Sequence, residues 1–119
     1  MKGAMIVYET DGNMTVRPLT AAPDLDTLQK AVGGGSIEVI PFWNDIDLGD
    51  KRFACVAFCN EEGKVSNPPL PFNRRATQLW EKSLKRKELT LDNPAGGRDD
   101  YLVGPICVIY GDNALLESL

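Results

Sequence analysis

Apolar and polar positions along the chain follow two rhythms, a period of two and a period near 3.6, and the switches between them divide it into elements. Ala4–Glu9 and Met14–Leu19 have the rhythm of strands and flank Thr10-Asp11-Gly12-Asn13, whose Asp-Gly pair suits a tight hairpin turn. In the second strand Met14 and Val16 face one way, Thr15 and Arg17 the other, and Pro18 ends the strand or marks it as an edge. Leu25, Leu28 and Val32 then recur at helical spacing behind a candidate cap, Asp24, and Gly33 stops that helix. Ser36–Phe42 reads as a short strand limited by Pro41. Trp43–Arg52, polar and acidic through Asp45, Asp47 and Asp50, reads as a solvated surface loop. Phe53–Cys59 is apolar at every position, the pattern of a central strand covered on both sides or closed in a barrel-like sheet.

The second half alternates less regularly. Asn60-Glu61-Glu62-Gly63 turns the chain, and Val65–Phe72, with Pro68, Pro69 and Pro71, predicts an extended irregular corner. Behind Asn73 as cap, Ala76, Leu79, Trp80, Ser83 and Leu84 form one face of a helix over Arg74–Lys87. Leu89–Arg98 reads as a long loop and Tyr101–Tyr110 as the last strand, interrupted at Gly104-Pro105. Asp112 is a candidate cap for a short leucine-rich tail over residues 112–119. The order β-β-α-β-β-α-β lacks the alternation of a doubly wound sheet. It predicts one α+β domain over residues 1–111, a mixed or antiparallel sheet with its two helices against one face.

Composition narrows the chemistry. With 119 residues, 43% hydrophobic and 25% charged, the chain makes one domain with a real core. No apolar run approaches the roughly 18 residues of a membrane span. The short apolar stretch after Met1-Lys2-Gly3 suits the first strand of a cytosolic protein better than a signal peptide. Histidine is absent, which removes the commonest general base and zinc ligand. Three cysteines lie in apolar strands. Cys55 and Cys59, about 13 Å apart along one strand, can neither pair nor share a metal, so reduced buried thiols are expected. No cofactor fingerprint and no metal set is present. Gly33-Gly34-Gly35 follows a helix and lacks the Lys-Ser/Thr of a phosphate loop.

Charge is unevenly placed. Residues 74–87 hold six cations against Glu81 alone, a net +5, which leaves −9 for the rest of a chain whose total is −4. Candidate contacts follow from this. Asn60, Asn73, Arg74 and Arg75 offer two amides, a helix start and two guanidinium groups to a phosphate or carboxylate. Their structural alternative is a turn, a cap and surface ion pairs. Lys82, Lys85, Arg86 and Lys87 are candidate nucleic-acid phosphate contacts, or simply a solvated helix end that offsets the dipole. The acidic total and the lack of a recognition motif disfavour nucleic acid. Trp43, at a strand end, is either partly buried or a partner anchor. Leu115, Leu116 and Leu119 either fold back over the sheet or pack on a second copy as a homodimer.

An ordered set of motifs resembles a known family: Leu28-Gln29-Lys30-Ala31-Val32-Gly33-Gly34, Ile37-Glu38-Val39-Ile40-Pro41, Asn60-Glu61-Glu62-Gly63-Lys64, Leu70-Pro71-Phe72-Asn73-Arg74-Arg75-Ala76-Thr77-Gln78-Leu79-Trp80 and Leu102-Val103-Gly104-Pro105. Together, from about residue 4 to residue 111, they resemble the domain of unknown function 3846 family. The resemblance implies a phage or mobile-element origin and action inside a bacterial host cell, and no settled activity. The expected function is non-catalytic binding and modulation of a host protein, counter-defence being one version. Binding of a nucleotide or other anionic ligand at Asn73–Arg75, and nucleic-acid binding through the basic helix, are the alternatives.

Overall fold

The computed structural model describes residues 2–88 and 100–119, so the loop expected over Leu89–Arg98 lies outside the described residues. Six strands and three helices follow one another: β1 (Gly3–Tyr8), β2 (Met14–Leu19), α1 (Leu25–Ala31), β3 (Ile37–Val39), β4 (Asp45–Leu48), β5 (Lys51–Asn60), α2 (Arg74–Lys85), β6 (Ile106–Gly111) and α3 (Asn113–Glu117). Every pairing is antiparallel, in the order β2-β1-β6-β5-β3, with β4 on β5. The α+β class expected from the sequence is the class observed.

Alternation in the three central strands sorts the core into two layers. Ile6 and Tyr8 of β1, Cys55 and Ala57 of β5, and Ile106 and Val108 of β6 pack with Ala76, Trp80 and Leu84 of α2. Met5 and Val7, Phe58, and Cys107 and Ile109 pack on the opposite face with Leu28 of α1 and Leu115 of α3. Helices therefore cover both faces, not one. This explains why β6 and the second half of β5 are apolar at successive positions: both of their sides are covered.

Each helix starts where its cap was expected. Asp24, Asn73 and Asp112 accept from the N–H groups of Thr27, Ala76 and Leu115 respectively. The leucine-rich tail is α3, and Leu115 folds back into the core. A glycine pair makes the room. Gly3 and Gly111 face each other across β1 and β6, and a Cβ on Gly3 would lie 2.4 Å from a Leu115 methyl carbon.

Three strand assignments change. Trp43–Arg52 is not an open loop, because Asp45–Leu48 is β4 and pairs with Lys51–Ala54 around the turn Gly49-Asp50. The last strand begins at Ile106, and before it Val103 makes a single antiparallel bridge to Phe72. The strand read over Ser36–Phe42 is likewise shorter. β3 and β4 pair successive halves of β5, and Pro41-Phe42-Trp43 bulges out between them. The Ile40 N–H donates to Ala57 before the bulge, and the Asn44 carbonyl accepts from Cys55 after it. Phe42 takes the left-handed region there, with φ 64°.

Candidate functional site

The amide pair that offered itself as a ligand site is consumed by the fold. Asn73 is completely buried. Its Nδ2 donates to the carbonyls of Tyr8 and Gly104, both at 2.9 Å, while Oδ1 accepts from Ala76 at 3.1 Å. Its backbone N–H donates to Leu102 O, and its carbonyl accepts from the Thr77 hydroxyl. Thr77 Oγ1 in turn accepts from the Leu102 N–H. One residue thus ties the end of β1, the 102–104 segment and the first turn of α2, leaving its amide nothing to offer a ligand.

Asn60 does the same at the C-terminal end of α1. Its Nδ2 donates to the carbonyls of Val32 and Gly34, and Oδ1 accepts from Glu62. The three glycines 33–35 all have positive φ, so the chain leaving α1 turns back under this amide. Arg74 and Arg75 remain exposed beside the β1–β2 turn, lining a shallow open groove with Thr10, Asp11, Gly12 and Gln78. The Arg75 guanidinium sits 5.8 Å from the centre of the Tyr8 ring.

Trp43, a candidate anchor or a half-buried side chain from sequence, is only 2% exposed and belongs to the core. The bulge turns it inward. Trp80 fixes that bulge by donating from Nε1 to Pro41 O at 2.8 Å.

The basic end of α2 lies against β4. Arg86 contacts Asp45 and, at 3.1 Å, Asp47; Lys87 approaches Asp45 at 3.6 Å and Lys82 reaches Asp47 at 3.8 Å. Lys85 pairs with Glu81 one turn back, at 3.1 Å. Ser83, fully buried, donates to Asp45 at 2.6 Å. Burial pushes the Asp45 carboxyl up, but hydrogen bonds from Arg86 and Ser83, with the charges of Arg86 and Lys87, outweigh it and bring it down to about 2. The four cations Lys82, Lys85, Arg86 and Lys87 are therefore matched by acids in space, and a nucleic-acid phosphate would have to displace carboxylates to reach Arg86.

A different place is left open. Between β3 and the Asp100–Val103 segment lies a cavity of about 120 Å³, lined among others by Glu38, Cys59, Trp80 and Tyr101. Drug-sized ligands occupy roughly 300–1,000 Å³, so a nucleotide is too large for it. At its mouth Lys64 pairs with Asp100 at 2.6 Å and lies 4.3 Å from the centre of the Tyr101 ring. Tyr101 packs on Phe72, ring centres 6.1 Å apart. Both rings are nearly half exposed, Phe72 at 49% and Tyr101 at 45%, and Val65, next to Lys64, is 81% exposed. Burial pushes the Cys59 thiol up to about 11, and the Cys55 and Cys107 thiols up to about 12. All three are thiols, not thiolate nucleophiles, at neutral pH. No group of three or more acidic or cysteine side chains suited to a metal occurs among the described residues.

Lys64, Phe72, Asp100 and Tyr101 were not singled out by sequence. They come from segments up to 37 positions apart, brought together by the Phe72–Val103 bridge. No local periodicity marks them.

This geometry defines a small antiparallel α+β protein, covered on both faces, with an aromatic-rimmed cleft at one sheet edge. The chain belongs to the domain of unknown function 3846 family, whose model matches residues 1–118. No curated protein and no solved structure matches it.

Two outcomes are expected from this wiring. Asn73→Ala removes a cap and leaves two buried carbonyls without their donor. It should cost about 3–5 kcal/mol in urea unfolding, against less than about 0.5 kcal/mol for exposed Arg74→Ala. Asp45 has a folded pKa near 2 against an unfolded 3.8, so its contribution is present above pH 4 and lost as pH falls toward 2. The stability gap between wild type and Asp45→Asn, about 2 kcal/mol at pH 7, should close over that window.

Proposed function

We propose that the protein is a non-catalytic binding module that modulates a host protein inside a bacterial cell. In the version suggested by its family likeness, it is of phage or mobile-element origin and serves counter-defence. The observation carrying this reading is the exposed Phe72–Tyr101 pair, flanked by Val65 and Lys64 at the mouth of the cleft. Exposed apolar side chains that lie together mark a contact surface, and aromatic residues are enriched at the centres of protein interfaces. The protonated thiols add support from the chemical side, since they remove the strongest nucleophiles the chain has.

The anion-binding alternative rests on the groove beside Arg74 and Arg75. It is weaker because the Asn73 amide is already bonded on both sides.

The test is quantitative affinity capture from bacterial host lysate with wild type and a Val65→Asp/Tyr101→Ala variant. Both positions are exposed, so the variant should keep its unfolding midpoint. The expected result is a wild-type partner depleted about tenfold or more on the variant, the loss of one interfacial hot spot. Equal capture by the two proteins, or none above control by wild type, rejects the reading.

A further inference from the structure

The sheet is open at β2 on one side and at β3 and β4 on the other, and β2 and β3 differ in what they present. Antiparallel pairs alternate between residues that bond their neighbour and residues that point their backbone groups away. At β3 the phase is fixed by two hydrogen bonds, Glu61 N–H to Ser36 O at 2.9 Å and Ile40 N–H to Ala57 O at 2.8 Å. Ile37 and Val39, lying between these positions, therefore each turn an N–H and a C=O outward. β3 is last in the strand order, and among the described residues no strand pairs with its outer side. At the opposite edge, Glu9 N–H donates to Asn13 O, which puts Met14, Val16 and Pro18 in the outward phase of β2. Pro18 has no N–H to give, so that edge is interrupted by its own sequence. The β3 edge carries no such break.

Charge at this edge has one sign. Glu38 pairs with Cys59 and so stands on the side of the sheet that holds the cleft. Glu38 and Glu61 line the cleft and form no ion pair among the described residues, whereas Lys64 is already engaged by Asp100. Val39, on the other side of the strand, is 56% exposed and offers an apolar contact. A second copy of this chain fits poorly here. Two β3 strands paired antiparallel about Glu38 would set the two carboxylates opposite each other.

We infer that the partner is taken as an extended segment added to the outer edge of β3, with a Lys or Arg side chain facing Glu38 and the cleft and an apolar side chain beside Val39. Such strand addition draws affinity from backbone bonds at Ile37 and Val39 and selectivity from the alternating side chains. It rests on the binding-module reading and specifies the partner's conformation and charge.

The experiment uses the full chain and synthetic peptides. The probe is a capped ten-residue peptide of alternating valine and lysine, titrated into ¹⁵N-labelled protein to about 1 mM, a limit that detects even millimolar affinity. Two controls accompany it, the same peptide with alternate backbone nitrogens methylated and a version with glutamate replacing lysine. The expected result is a shift of the Ile37 and Val39 amides by the lysine peptide, with each control binding about tenfold or more weakly. Glu38→Lys should exchange the preference between the lysine and glutamate peptides. No binding at the highest concentration, equal binding by the methylated peptide, or shifts confined to Met14 and Val16 overturns strand addition. That failure alone leaves the binding-module reading standing if lysate capture still depends on Val65 and Tyr101; loss of both rejects the reading itself.

Discussion

The carboxamide of Asn73 is the point on which the other elements depend. Only an amide provides two donors and an acceptor on one short side chain, and all are used: the carbonyl of Tyr8 at the end of β1, that of Gly104 ahead of β6, and a free N–H in the first turn of α2. The consequences run along the helix. Because α2 starts there, Trp80 reaches the Pro41 carbonyl and holds the bulge between β3 and β4. The bulge brings Asp45 and Asp47 of β4 to the basic end of the helix, where Ser83 and Arg86 receive them. Local capping and long-range assembly are the same event.

The strands and helices with strong periodicity were legible, as was every helix cap. Asp24, Asn73 and Asp112 sit ahead of apolar positions at helical spacing, and that chemistry is local. β4 was missed although Asp45-Ile46-Asp47-Leu48 alternates and Gly49-Asp50 is a two-residue hairpin signal. The density of acid outweighed the pattern, and those acids are met by Lys82 of α2, by Arg86 and Lys87 just past its end, and by Arg52 of β5. Coverage of both sheet faces was half visible in Phe53–Cys59, whose unbroken apolar run calls for two covered sides. The placing of α1 and α3 opposite α2 depends on crossovers that periodicity does not encode.

The candidate residues left two readings open for a related reason. Asparagine, arginine and tryptophan attract attention in a sequence because they recognise ligands, yet the same hydrogen-bonding capacity stabilises turns and caps. Asn60 and Asn73 are spent on carbonyls, Trp43 on the core and Arg86 on two aspartates. What stays available is assembled from residues that look ordinary one at a time. Phe72 closes a proline-rich corner, Tyr101 opens an irregular stretch, and Lys64 lies in a turn. Their meeting at the β3 edge follows from the Asn73 anchor, which positions the 102–104 segment beside them.

Native-state hydrogen exchange tests that anchor most directly, because it measures the opening of each bond in the intact protein. The amides of Asn73, Ala76 and Leu102 all belong to the network and can be compared with Val108 in the middle of β6. If the anchor joins α2 to the sheet, all four exchange with one opening free energy and one dependence on denaturant, that of global unfolding. Exchange of Asn73, Ala76 and Leu102 through a lower-energy opening, with Val108 still protected, would show that helix and sheet separate without unfolding and would contradict the account.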